Sequence, residues 1–192
     1  MTIAPDLPAP GVQSTEDRRQ ISRRFIIHAR EELAKNNRLQ AGEKAWGAVV
    51  QPLKAIAELR GWQHQSHRDV YAVALQVAQE YSFDVYQVNA LADAYRVGHE
   101  NFYENYRSLD ELADMIDRVE TLVPYLNRLT DVPPRQVRIA SNAQLRNLRQ
   151  ITGNNNLRIG DTSPVGFSRN HPAPDSDNGS TSSDHPDEND AI

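Results

Sequence analysis

Apolar residues recur every three or four positions through the central part of the chain, and this spacing predicts five helices. The predicted helices cover residues 14–36, 39–59, 66–81, 83–106 and 109–128. No segment of useful length alternates between apolar and polar residues, so the pattern gives no support for strands. The connections are short, which favours antiparallel packing of neighbouring helices. We therefore predict an all-α fold, an antiparallel four- to five-helix bundle with a largely disordered C-terminal tail.

Local signals mark where several of these helices begin and end. Ser14 with Asp17, Ser66 with Asp69, and Ser108 with Glu111 have the three-residue spacing of N-terminal caps. Gly61 is placed to terminate the second helix, because glycine accepts the left-handed backbone common at that position. Pro52 lies within the second helix, removes one backbone hydrogen bond and is expected to kink it near residues 48–52.

Composition divides the chain into three parts. Residues 1–13 contain three prolines and are expected to be a flexible leader. Residues 14–129 form the predicted bundle and are nearly neutral. Residues 130–192 are expected to be mostly disordered, with arginines first and acidic residues later, because this segment offers little apolar surface to bury. One short helix is possible there, near 142–151, where Leu145 and Leu148 are three positions apart.

Composition also limits the function. Cysteine is absent, which excludes disulfides, thiolate metal sites and cysteine nucleophiles. The first residues do not resemble a secretory signal, and no apolar run reaches the ~18 residues that span a bilayer. We therefore expect a cytoplasmic protein with no membrane association. The net charge of −5 argues against a generally basic nucleic-acid-binding protein.

The fourth predicted helix carries the most suggestive side chains, and its apolar side indicates that they face inward. The candidate catalytic residues are Arg96 and His99, and the candidate binding residues are Tyr95, Asn101 and Tyr103. An imidazole can transfer a proton near neutral pH and a guanidinium can hold a phosphate in bidentate fashion, so the pair suits phosphodiester chemistry. The alternative interpretation is a core histidine, with Arg96 paired to Asp93 or Glu100.

Three further groups are weaker candidates. His64 and His67 have a spacing seen in metal sites, but no complete ligand set is evident, and we predict no metal ion and no cofactor. Four arginines at the start of the first helix either contact RNA phosphates or form a solvated face balanced by nearby acids: Arg18, Arg19, Arg23 and Arg24. Lys44 and Trp46 lie early in the second helix, where Gly47 allows another helix to cross closely.

Short motifs in three of the predicted helices resemble the HEPN superfamily (higher eukaryotes and prokaryotes nucleotide-binding), and its PaREP-like branch in particular. These motifs are Ala29–Leu33, Gln40–Ala48, Leu53–Ala57 and His99–Glu104. The resemblance covers roughly residues 17–128. It implies an antiparallel four- or five-helix bundle that dimerises, and many HEPN proteins are metal-independent ribonucleases of toxin–antitoxin and defence systems.

The sequence departs from the HEPN catalytic motif, in which four to six residues separate an arginine from a histidine. Only two residues separate Arg96 from His99. We therefore expect a HEPN-like domain that binds a nucleotide, RNA or a partner protein, as a homodimer and without clear catalytic machinery. Two alternatives are a metal-independent endoribonuclease that uses His99 as general acid and base, and a helical adaptor whose disordered tail recruits partners.

Overall fold

The computed structural model describes residues 13–96 and 107–163 of the 192-residue chain. Within them it has six helices: α1 (Thr15–Ala34), α2 (Arg38–Leu59), α3 (His67–Glu80), α4 (Val85–Asp93), α5 (Leu109–Leu129) and α6 (Asn142–Thr152). Apart from one isolated bridge between Arg138 and Thr162, the described residues contain no β-structure. The predicted all-α fold is confirmed. No helix in these two ranges has both the length and the apolar character that a membrane crossing requires.

Helices α1, α2 and α5 form the centre of the bundle. Side chains near the start of α1 meet the end of α2, as where Arg18 bonds Glu58, and Ser22 reaches Ala48 in the middle of α2. Arg19 near the start of α1 bonds Asp131 just after α5, whereas Arg30 near the end of α1 pairs with Glu120 in the middle of α5 at 2.7 Å. Helix α1 is therefore antiparallel to α5 as well as to α2, and the short connection predicts the second of these orientations. Helix α4 packs against α5, and α3 packs against both α2 and α6.

The predicted helix starts are present as formed caps. Capping boxes, in which side chain and backbone bond reciprocally, occur at Ser14 with Asp17, Ser66 with Asp69, and Ser108 with Glu111. A fourth, unpredicted box joins Asp84 to Gln87 at the start of α4. Gly61 follows α2 with a φ of 63°, the left-handed conformation expected at a helix end.

Pro52 lies inside α2, and the helix continues through it. Proline has no N–H, so the carbonyl of Ala48, four residues earlier, loses its usual helical partner. The hydroxyl of Ser22, on α1, donates to that carbonyl at 2.6 Å. Both Ser22 and Ala48 are fully buried, so water cannot donate a hydrogen bond to this carbonyl. A side chain of the neighbouring helix therefore satisfies the carbonyl that the proline leaves without a donor.

A buried ion pair joins the end of α2 to the end of α3. The guanidinium of Arg60 bonds the carboxylate of Glu80, and both side chains are almost completely buried. Gln76 donates to the second oxygen of Glu80 at 2.8 Å. Burial raises the pKa of Glu80, although the charge of Arg60 opposes this effect. Tyr81, which accepts a bond from Arg60, donates to the carbonyl of Val132 at 2.6 Å and so ties down the chain after α5.

The structure bears on two expectations about the later part of the chain. The fourth helix was expected to reach residue 106; the α-helical part, α4, ends at Asp93, and residues 94–96 continue as a wider, π-type turn up to the end of the first described range. Residues 97–106 lie outside the described ranges. Residues 130–163 were expected to be mostly disordered, whereas the structure packs them onto the bundle.

Apolar side chains explain why this segment folds. Ile139, Leu148 and Ile151 are fully buried, and Leu145 and Leu157 nearly so. They complete the core on the side of α3, where α6 lies, and the short helix predicted near 142–151 is confirmed. Backbone bonds also close the segment on itself, from Ile139 N–H to the Asp161 carbonyl at 2.8 Å. The predicted leader and the remainder of the predicted tail, 1–12 and 164–192, lie outside the described residues.

Candidate functional site

The side chains predicted as a site on the fourth helix are only partly within the described residues. Tyr95 is half-buried and packs against Trp46, with ring centroids 5.4 Å apart, and against Tyr71 at 4.9 Å. Arg96 is exposed, so the expectation that it faces inward is wrong. Its proposed partner Asp93 is instead bonded to Arg118 at 3.0 Å. His99, Asn101 and Tyr103 lie outside the described ranges.

The arginines of α1 that were considered for RNA binding serve mainly as structural links. The guanidinium of Arg18 forms a bidentate salt bridge with the carboxylate of Glu58 and donates a further hydrogen bond to Gln51. Arg19 bonds Thr130 and Asp131 beyond α5. The balancing groups therefore come from other helices rather than from the acids on α1 alone. Arg23 lies 3.8 Å from Glu16, and Arg24 is exposed.

The two histidines after α2 have separate environments. The ring of His64 contacts the carbonyl of Trp62 at 2.9 Å and Glu58 at 3.2 Å. Burial raises the pKa of Glu58, but the hydrogen bonds from His64 and Arg18 outweigh it, and the net effect is a lowered pKa. His67 is exposed at the first position of α3. Across the two described ranges, no group of three His, Asp or Glu side chains is arranged to hold a metal ion.

A cleft of about 290 Å³ opens where α1, α2 and the start of α3 meet. Phe25 supplies one wall from α1, and His67 supplies another from α3. One face of α2 forms the floor, with positions spaced three or four apart: Lys44, Gly47, Val50 and Lys54. Gly47 lets Phe25 pack closely there, because a Cβ atom at this position would lie only 3.0 Å from its ring. The close approach of another helix expected at Gly47 is thus present, as a contact with the side chain of Phe25 on α1.

The cleft is electropositive. The ammonium group of Lys44 lies 5.6 Å from the ring centroid of Phe25, a favourable cation–π distance. Lys54 is half-buried, and burial followed by the nearby charge of Arg18 lowers its pKa. Within the described residues, neither lysine forms a salt bridge, and the one carboxylate in the lining is Glu43. Two ammonium groups in a cleft that has an aromatic wall can bind an anionic, aromatic ligand.

The model of the archaeal PaREP1/PaREP8 family matches residues 17–123, more than half of the chain. The chain belongs to this family. No curated protein and no solved structure matches it. All of the residues that line the cleft fall within the family match, whereas α6 follows it. The cleft is therefore built from the part of this PaREP1/PaREP8 protein that the family model describes.

Several residues that line the cleft were considered from the sequence, but they were not assigned to one site. Lys44, Trp46 and Gly47 were considered together, and His67 was considered only as a metal ligand. Lys54 was not considered at all. The missed signal was the recurrence of Lys44, Gly47 and Lys54 on one helical face, where two cations flank a glycine that opens the surface. The contribution of Phe25 requires the packing of α1 on α2, which a helical period does not specify.

Proposed function

We propose that this PaREP1/PaREP8 protein is a HEPN-like domain that binds a nucleotide in the cleft between α1, α2 and α3, without catalysing its cleavage. The observation that carries the proposal is the presence of Lys44 and Lys54, without salt bridges to described residues, on the floor of a cleft walled by Phe25. The short motifs that resemble those of HEPN proteins, together with the helical bundle, support the same assignment.

Size and chemistry support a mononucleotide as the ligand. A volume of about 290 Å³ is at the lower end of the range for small-molecule sites. In the proposed complex, Lys44 and Lys54 bind the phosphate, since ammonium groups donate hydrogen bonds to phosphate oxygens and offset their charge. Phe25, which is only half-buried, supplies aromatic surface for the base, which stacks on such a ring without regard to sequence.

The state of Lys54 gives the proposal its energetic basis. Burial and the charge of Arg18 disfavour the charged ammonium, the charge of Glu58 opposes them, and the net effect is a lowered pKa of Lys54. A phosphate in the cleft would add negative charge beside this ammonium group and favour its charged form. Binding would therefore relieve an unfavourable arrangement of the free protein, and we expect Lys54 to contribute more to affinity than an exposed lysine would.

The proposal is tested with a fluorescent nucleotide, N-methylanthraniloyl-ADP, and with unlabelled UMP as competitor. We expect Lys44→Gln with Lys54→Gln to weaken binding at least tenfold, because each charge-assisted hydrogen bond is worth about 1.5–3 kcal/mol. The matched control is Lys35→Gln, an exposed lysine that pairs with Glu32 away from the cleft. Circular dichroism checks that each variant is folded. Equal affinity of the double variant and the unaltered protein would refute the proposal.

The same protein preparation tests the ribonuclease alternative, which depends on Arg96 and His99. Arg96 is exposed and thus accessible to RNA, the one observation that favours this alternative. Unaltered protein and a His99→Ala variant are incubated with total RNA and EDTA. RNA cleavage that disappears in the variant would establish a metal-independent nuclease and replace our proposal of binding alone.

A further inference from the structure

A second cavity, of about 490 Å³, lies beside the first at the start of α3. Its lining comes from α3 and α6: Ser66, Arg68, Asp69, Arg146, Arg149 and Gln150. Ser66 borders both cavities, so they meet at the N-terminus of α3. The positive end of that helix dipole faces this junction. The two cavities are therefore adjacent on the surface and share Ser66 as a border.

Positive charge dominates the second cavity. Three arginines face a single carboxylate, that of Asp69. Asp69 is already engaged, because it accepts bonds from the backbone of Ser66 at 3.0 Å and from Gln150 at 2.6 Å. No salt bridge within the described ranges involves Arg68, Arg146 or Arg149. Arg149 uses its guanidinium to bond the carbonyl of Leu157, whereas Arg68 and Arg146 are exposed.

Helix α6 is firmly placed relative to α3. Leu148 and Ile151 are fully buried beneath it, and the Gln63 N–H donates to the carbonyl of Ile151 at 2.7 Å. With the bond between Gln150 and Asp69, these contacts set the separation between the arginines of α6 and the start of α3. The backbone positions of the arginines are thus fixed without a ligand, and the bond to Leu157 also orders the side chain of Arg149, which lowers part of the entropic cost of binding a ligand.

We propose that the second cavity binds the phosphate backbone of a single-stranded oligonucleotide whose first nucleotide occupies the cleft of Lys44 and Lys54. This inference rests on the proposed function and extends it from a mononucleotide to a chain. Successive phosphates require cations spaced along a path, and the two adjacent cavities supply two ammonium groups followed by three guanidinium groups. Arg146 and Arg149 lie beyond the 17–123 match, so the extension is a feature of this chain rather than of the matched region.

The test compares UMP with oligouridylates of two, four and eight nucleotides by fluorescence anisotropy, with a competing fluorescein-labelled U8 probe and full-length protein. We expect affinity to rise at least tenfold from UMP to U8. Arg68→Gln with Arg146→Gln should weaken U8 about tenfold and leave UMP within about twofold. The salt dependence of U8 binding should fall in slope by about 1.4, since each phosphate contact on a single strand contributes about 0.7.

The matched control is Arg24→Gln with Arg158→Gln, which removes two exposed arginines that line neither cavity. It should leave the affinity for U8 nearly unchanged. If U8 binds no tighter than UMP, or if both double variants weaken U8 equally, the inference is wrong while the mononucleotide cleft stands. If UMP fails to bind, the proposed function itself is wrong, and the inference built on it fails as well. If dT8 binds with the same affinity as U8, the protein recognises the phosphate backbone that the two share, which would support the inference.

Discussion

The hydrogen bond from Ser22 to the carbonyl of Ala48 should be needed only because Pro52 lacks an N–H. Ser22→Ala removes the donor and leaves a fully buried carbonyl without a partner. The desolvation cost of such a group is about 1–3 kcal/mol, and the small change in side-chain volume adds little. We therefore expect Ser22→Ala to lower the free energy of unfolding by about 1–3 kcal/mol. For a chain of this size, that corresponds to a fall in Tm of at least about 2 °C.

A double-mutant cycle between Ser22 and Pro52 tests whether the hydrogen bond depends on the proline. In a Pro52→Ala background, residue 52 regains an N–H that can donate to the carbonyl of Ala48, as in a regular helix. Ser22→Ala should then cost about 1 kcal/mol less than it does beside the proline, a coupling of the size expected for groups in one network. Pro124 in α5 is the matched control, because it is also a proline within a helix but is exposed and does not lie four residues after Ala48. Pro124→Ala should leave the cost of Ser22→Ala unchanged.

Urea unfolding followed by tryptophan fluorescence measures each term, since Trp46 and Trp62 are both buried and report loss of the core. Far-UV circular dichroism checks that the two probes give coincident transitions, which a two-state treatment requires. The reasoning is refuted if Ser22→Ala costs less than about 0.5 kcal/mol, below the range for an unsatisfied buried carbonyl. An identical cost in the presence and absence of Pro52 would also refute it.

Three other predictions concern stability. Leu148→Ala should cost about 2–5 kcal/mol in urea unfolding, because the side chain is fully buried; a cost below about 1 kcal/mol would mean that α6 does not dock in solution. Glu80→Gln should cost about 3–5 kcal/mol, since it leaves the buried charge of Arg60 without its partner, and an unchanged urea midpoint would contradict this. The pKa of Glu58 is lowered in the fold, so its contribution is present above its ordinary value of 4.5 and is lost as pH falls through the folded pKa. Thermal melts between pH 7 and pH 3 should show a shallower acid loss for Glu58→Gln, and parallel profiles would exclude this role.

The central helices could be predicted because local signals agree with the long-range packing. In α5, the capping box at Ser108 begins an apolar pattern that continues through the helix, and the residues of this pattern are buried as expected. The box at Ser66 likewise identifies the start of α3. In each case the capping residues and the spacing of the buried apolar residues indicate the same helix. Such agreement between local and long-range signals makes a helix predictable from sequence.

The segment after α5 could not be assigned from the same signals. Its apolar residues are few and separated by polar ones, so each local window resembles a disordered chain. Ile139 and Leu157 become buried only because Ile139 is bonded to Asp161 and both residues join the core beside α6. That arrangement depends on contacts between residues about 20 positions apart, which neither a helical period nor a composition reveals. The bond from Tyr81 to Val132 is of the same kind.

The charge of the chain shows why the candidate site was also missed. A net charge of −5 argues against nucleic-acid binding when it is averaged over the sequence. The two adjacent cavities nevertheless contain five Lys and Arg side chains against Glu43 and Asp69, a local excess of three positive charges. At physiological ionic strength, charges act over about 8 Å, so the local excess governs a bound phosphate more than the acids elsewhere do. Because α6 brings Arg146 to the start of α3, a segment that composition assigned to a disordered tail becomes part of the surface proposed for binding.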